Sequence, residues 1–180
     1  MESKLNVTGL YEAVRKIKKW KKDDSGVLMA SMPSQGVDWL KNLPELTAAV
    51  HEIATLRGCV ALNAMINIIP PGIKVPVHRD YLVPYLGNKY PILERWHLPI
   101  LTNDLATWWD EHQATVDVKV AEGVTKQGVE QHMPVGVWAG PVKYWIQHTV
   151  KNLGKTERIH LVVDLAKIVP GEMYSTTEQL

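Results

Sequence analysis

The chain has no phenylalanine and a single cysteine among its 180 residues. One cysteine excludes an internal disulfide and a thiolate-built metal cluster. Cys59 sits in the apolar run Cys59-Val60-Ala61-Leu62, which reads as a buried structural thiol rather than a nucleophile. Charge of one sign is also missing. Twenty Lys and Arg stand against 19 Asp and Glu, a net charge of +1, so overall charge names no partner. No apolar run approaches the roughly 20 residues of a membrane-spanning helix. The N-terminal stretch is charged and lacks the apolar centre of a secretory leader. Internal repeats and low-complexity tracts are missing too. These absences predict a cytoplasmic globular protein in a reducing compartment, with 1–180 as a single domain.

Hydrophobic residues make up 46% of the chain, enough for a sizeable core, and tryptophan is abundant at seven. Residues 1–58 read as a helical part, 59–168 as a strand-rich core and 169–180 as a tail. Leu10, Val14 and Ile17 recur at helical spacing, with Thr8 as the N-cap. Arg15, Lys16, Lys18, Lys19, Lys21 and Lys22 fall on the other face. That cluster over 15–22 reads first as a solvated helix face and second as a patch for nucleic acid or another polyanion. Asp23-Asp24-Ser25-Gly26 ends the helix, and 32–36 is a loop. A second amphipathic helix spans 43–57, with Leu46, Val50, Ile53 and Leu56 inward and Gly58 closing it. Strands are expected at 60–69, 96–101, 115–120, 135–138, 144–149 and 158–165. Helices followed by many short strands imply an α+β chain with an antiparallel sandwich or barrel. A two-sheet jelly roll, with the N-terminal helices packed on one sheet, leaves a pocket between the sheets.

His78-Arg79-Asp80 and His148 are the candidate metal ligands. Two imidazoles and one carboxylate can occupy one face of an octahedral Fe(II), leaving three positions for a chelating co-substrate and O₂. A His-X-Asp pair suits this task because alternate strand residues point the same way. The same parity puts Asn63, Met65 and Asn67 on one face of their strand and Ala64, Ile66 and Ile68 on the other. Two Asn on a buried face need partners, so that face lines either a polar pocket or solvent. Arg95 and His97 share a face opposite Trp96 and Leu98, which fits a carboxylate site or the wet side of an edge strand. Segments 144–152 and 158–164 read as a hairpin turning at Leu153-Gly154-Lys155, which would return Arg158 beside His148. An Arg there can clamp a co-substrate carboxylate. His160 shares the face of Arg158 and reads as a packed or solvent-facing histidine.

Taken together, these segments resemble the aspartyl/asparaginyl β-hydroxylase-like family of Fe(II)- and 2-oxoglutarate-dependent dioxygenases. The matching text is Asn67-Ile68-Ile69-Pro70-Pro71-Gly72, His78-Arg79-Asp80, Arg95-Trp96-His97-Leu98, Ile146-Gln147-His148-Thr149-Val150-Lys151-Asn152, Arg158 and Val162-Val163-Asp164. It covers about 60–165. The resemblance implies a double-stranded β-helix, a jelly-roll variant. It implies that His78, Asp80 and His148 hold Fe(II) and that Arg158 pairs with the distal carboxylate of 2-oxoglutarate. Asn67, Arg95 and His97 fall at the family's further co-substrate contacts. The implied reaction hydroxylates an unactivated C–H bond of an amino-acid, peptide or protein side chain, consuming O₂ and releasing succinate and CO₂. Retention of Asp80 argues against the related halogenases, which leave that position to halide. The link 81–91 is longer than the family's and carries three tyrosines, as a lid over the site would.

Two other readings share these residues. One is the same chemistry on a nucleic-acid base, served by the basic segment 15–22 and by stacking aromatics. Against it, Asp164 stands where the DNA-repair demethylases of the superfamily carry a second Arg. The other is a cupin-like metal protein that keeps His78, Asp80 and His148 but has no use for 2-oxoglutarate or Arg158. A jelly-roll binding module with an accidental motif comes last, since the scaffold alone does not fix function.

Overall fold

The computed structural model describes residues 5–31, 42–80, 94–111, 116–119 and 125–167. The expected loop at 32–36, the link 81–91 and the tail 169–180 lie outside these residues. Among the described residues no helix is long and apolar enough to cross a membrane.

Helix α1 (Val7–Lys16) is capped by Asn6, not Thr8: the Asn6 side chain accepts the Thr8 N–H. Leu10, Ala13 and Val14 are buried, and Ile17 is the C-cap. The helix therefore ends before most of the basic run. Lys21–Lys22 form the short strand β1, paired with β2 (Leu28–Ser31), so 15–22 is not one helix face. Residues 23–26 do not stop a helix but join these two strands. The Asp23 carboxylate accepts from Ser25 Oγ (2.7 Å) and Val27 N (2.9 Å), and Gly26 N donates to Asp23 O (3.0 Å). Such local side-chain bonding is how Asp favours turns over helix.

Helix α2 (Pro44–Arg57) starts with proline in its first turn, where no intrahelical N–H bond is lost. It stops at Gly58, whose φ of 59° and bonds to Ala54 O and Thr55 O form a left-handed cap. Leu46, Ala49, Val50, Ile53 and Ala54 make its buried stripe. Leu56 was expected inside, but it falls at the edge of that stripe in the last turn and is 49% exposed.

The larger sheet runs β1-β2-β3-β9-β4, with β3 (Cys59–Ile69) and β9 (Arg158–Lys167) inside it and β4 (Glu94–Leu101) at one end. The smaller sheet runs β6-β7-β5-β8, made of β6 (Val116–Lys119), β7 (Thr125–Gln131), β5 (Ala106–Asp110) and β8 (His148–Asn152). All pairings are antiparallel. Strands β1, β2, β5 and β7 were not expected from the sequence. The expected strand at 135–138 is instead turn and loop ending at Trp138, whose indole N–H donates to Glu52 of α2 (2.8 Å). Ala139 then bridges to His97 on the free edge of β4. Gly140 is needed there, because a Cβ would lie 2.8 Å from the Trp96 ring and 2.9 Å from Arg95 O. Residues 144–146 form a turn, and the strand begins only at His148.

Strands β8 and β9 are not a hairpin. β8 pairs with β5, whereas β9 lies between β3 and β4, so the chain crosses from one sheet to the other at 153–157. Parity along β3, β9 and β4 then separates two faces. Ala64, Ile66, Ile68, Ile159, Leu161, Val163, Leu165, Trp96, Leu98 and Ile100 point outward and form one core with α1 and α2. Cys59, at the start of β3, is half-buried rather than enclosed; burial pushes its thiol pKa up. The inner face carries Asn67, Arg95, His97 and Arg158 toward a cavity.

Candidate active site

Backbone pairing brings the two histidines together. His78 N–H donates to His148 O (3.0 Å) and His148 N–H to His78 O (2.9 Å). Residues that exchange both bonds in an antiparallel bridge project their side chains to the same side. The rings accordingly sit 4.4 Å apart, centre to centre. Asp80 follows two residues after His78 and shares its direction. Its carboxylate lies 3.4 Å from His78 Nε2 and 3.7 Å from His148 Nε2. The donor atoms of His78, Asp80 and His148 all lie within 4.8 Å of one another.

The histidines are oriented from behind. His78 Nδ1 is 2.7 Å from Pro76 O, and His148 Nδ1 is 2.9 Å from Ile146 O. A backbone carbonyl can only accept, so each Nδ1 carries the hydrogen and each Nε2 keeps its lone pair for an ion. The Trp108 indole stacks on the His148 ring at 4.5 Å and 15°. This donor set fits the two-histidine, one-carboxylate face favoured by non-haem Fe(II).

Electrostatics keep the carboxylate charged. Burial pushes the Asp80 pKa up, but the His78 hydrogen bond and the Arg95 charge outweigh it and hold it below the ordinary carboxylate value. The Asp80 hydrogen bond raises His78, and burial lowers His148.

The triad lines a cavity of roughly 530 Å³. Its walls come from both sheets: Met65, Asn67 and Ile69 of β3, Arg95 and His97 of β4, Arg158 and Val162 of β9, Trp108 of β5, and His148 and Val150 of β8. Arg158 and His148 thus share the cavity without being strand neighbours. Arg158 is 3% exposed, and its Nη2 has no hydrogen-bond partner among the described residues. Burial alone pushes its pKa down to about 9. Asn67 Oδ1 and both His97 ring nitrogens are also buried without partners. Burial, then the charges of Arg158 and Arg95, hold His97 well below the ordinary imidazole value. His160 is buried too, with its ring 5.8 Å from His97 and both nitrogens unpartnered, so it is packed rather than solvent-facing.

Arg95 differs from Arg158 because protein carboxylates already surround it. Its Nε and Nη2 donate to Asp164 Oδ1 (2.6 Å) and Oδ2 (3.0 Å), and its Nη1 donates to Asp80 Oδ2. Asn63 Nδ2 adds a third bond to Asp164 (3.1 Å). Sequence reasoning passed over Asp164 as a partner, although alternation from Arg158 through His160 and Val162 points to it. It also passed over Trp108, which hides in the unrecognised strand β5.

Residues 13–167 match the family model for aspartyl/asparaginyl beta-hydroxylase. No match was found among curated proteins. Among solved structures, a prolyl-4-hydroxylase from Pseudomonas putida is similar at 13% identity and a TM-score of 0.54, over 94% of this chain and 91% of that one. A non-haem α-ketoglutarate-dependent carbocyclase of nogalamycin biosynthesis is similar at 13% identity and a TM-score of 0.53, over 96% of this chain and 80% of that one. At such identities these likenesses concern the fold. The family match spans most of the chain, so the protein belongs to the aspartyl/asparaginyl β-hydroxylase family of non-haem iron, 2-oxoglutarate-dependent hydroxylases.

Proposed function

We propose that the protein hydroxylates an unactivated C–H bond on an amino-acid, peptide or protein side chain, turning 2-oxoglutarate and O₂ into succinate and CO₂. In this reading His78, Asp80 and His148 hold Fe(II) within a double-stranded β-helix. The observation that carries it is Arg158, a cation buried in the wall of the triad's cavity with no carboxylate partner among the described residues. A buried charge is stable only when paired, and a co-substrate carboxylate supplies the pair. Asn67 Oδ1 and the His97 nitrogens on the same wall offer further polar contacts. Neutral His97 can donate to a carboxylate from one ring nitrogen.

Fe(II), when bound, supplies the activation of oxygen. The chain's own residues do the rest. His78 and His148 present Nε2 because their Nδ1 hydrogens are engaged with Pro76 and Ile146. Arg158 fixes the co-substrate's far end. Met29, Met65, Val75 and Val162 line the same cavity and give an apolar wall for the target C–H bond. The cavity's size falls within the roughly 300–1,000 Å³ of ligand sites. A side-chain substrate is supported by the family's name and by the prolyl hydroxylase among the structural likenesses. The nucleic-acid reading loses support because 15–22 divides between a helix end and an edge strand.

An anaerobic mixture of protein, Fe(II) and 2-oxoglutarate should show a weak visible metal-to-ligand charge-transfer band. A succinate-release screen over amino acids and peptides should then find a substrate, and His148→Ala should abolish release. Iron bound without such a band would overturn the co-substrate assignment.

A further inference from the structure

Three strands deliver one row of polar side chains to the inner face of the larger sheet. Asp164 of β9 is in register with Asn63 of β3 on one side and Arg95 of β4 on the other. Strand pairing alone therefore places the three in contact. Asp164 is fully buried and accepts from Arg95 Nε, Arg95 Nη2 and Asn63 Nδ2. The third arm of the Arg95 fork, Nη1, leaves the sheet and donates to Asp80 Oδ2. The Tyr144 ring covers the guanidinium at 5.1 Å. Arg95 is thus the one described side chain that spans the sheet's polar row and the candidate ligand Asp80.

We infer that Arg95 is a positioning residue which fixes Asp80 as a one-oxygen ligand. The inference rests on the reading of His78, Asp80 and His148 as the metal site. Oδ2 lies 3.7 Å from His148 Nε2 but is held by Arg95, so the oxygen left to an ion is Oδ1, 3.4 Å from His78 Nε2. A carboxylate that bound through both oxygens would take a fourth position. Three ligand atoms leave three positions for a two-pronged co-substrate and O₂; four would leave too few. Arg95 protects that count. Its fork is already committed to Asp164 and Asp80, whereas Arg158 has no carboxylate partner among the described residues. The two arginines on one cavity wall hence divide the work: Arg95 serves the metal's carboxylate and Arg158 serves the co-substrate. Asp164, in turn, aims Arg95.

The test uses the full chain with Co(II) as a spectroscopic probe and with 2-oxoglutarate. Arg95→Gln and Arg95→Lys should each weaken Co(II) binding by about 10–100-fold, as loss of a ligand's supporting contact does, and should alter its visible spectrum. Lysine keeps the charge but lacks a planar fork, so it should not rescue. Asp164→Asn should move metal affinity the same way. Where the freed Asp80 takes a fourth position, 2-oxoglutarate binding to the Co(II)-loaded variants should weaken together with Co(II) binding, whereas Arg158 variants should lose 2-oxoglutarate affinity alone. Unchanged Co(II) affinity and spectrum in Arg95→Lys would overturn the inference, as would a loss confined to 2-oxoglutarate. Should the variants fail to fold, a crystal structure of the Co(II)-loaded wild type decides. One Asp80 oxygen on the ion with Oδ2 on Arg95 supports the inference, and two oxygens on the ion overturn it. Wild type that binds no Co(II) sinks the metal reading beneath it.

Discussion

At Arg158 the proposed co-substrate clamp and the stability of the fold pull against each other. The fold lowers the Arg158 pKa to about 9, well below the ordinary guanidinium value, by burial alone. A cation whose folded value lies below its unfolded value opposes folding: the cost is complete below pH of about 9 and is relieved as pH rises through that value. Arg158→Met should therefore stabilise the ligand-free protein, by about 1 kcal/mol or more, in chemical denaturation. The same change should raise the 2-oxoglutarate requirement for succinate release by about tenfold or more, since a charge-assisted contact contributes about 1.5–3 kcal/mol. A destabilised variant would show that the charge has a protein partner. An unchanged requirement would move the clamp elsewhere. Arg158 was expected beside His148 through a hairpin; the two do line one cavity, but from different sheets. The bonds of Arg95 were not legible in sequence, because Asp80 and Asp164 reach it from segments 15 and 69 residues away.

At the scale of elements, alternation was the readable signal and pairing was not. Asn63, Met65 and Asn67 were separable from Ala64, Ile66 and Ile68 because strand side chains alternate by two, and the structure places the second set under the helices. Alternation carries no information about which strand lies alongside. Segments 148–152 and 158–167 look like a hairpin, yet they belong to different sheets. Asn152 holds that crossover. It is fully buried; its Nδ2 donates to Ile69 O (2.9 Å) and Thr156 O (2.8 Å), and its Oδ1 accepts from Asn103 Nδ2 (3.0 Å) and Gly154 N (3.2 Å). Asn152→Ala leaves several of these groups unsatisfied. At about 1–3 kcal/mol for each buried orphan, it should cost about 2–4 kcal/mol in urea unfolding and disturb Arg158 six residues on. A cost below about 0.5 kcal/mol, the range of an ordinary surface change, would show that water replaces the side chain fully.

Across the whole molecule, an ion on the triad would tie together side chains that different parts of the fold deliver. His148 belongs to the smaller sheet, His78 and Asp80 to the segment along its edge, and Arg95 with Asp164 to the larger sheet. Metal should accordingly stabilise the protein globally, by about 2.7 kcal/mol at a hundred times its Kd, or about 5–10 °C in Tm for a chain of this size. Protons should oppose that gain in a defined direction. The Asp80 hydrogen bond raises the folded His78 pKa. In the metal-free protein that pair's stabilisation is complete below the ordinary imidazole value and is lost as pH rises through the raised one. Asp80 is held low, so its contribution persists above the ordinary carboxylate value and fades as pH falls through its folded one. The ion needs the lone pair that the proton occupies. The metal-induced rise in Tm should hence be small near pH of about 5 and grow toward pH of about 8, measured by thermal unfolding with and without Co(II). A rise of equal size at both ends would mean that the ion sits on groups other than His78, Asp80 and His148.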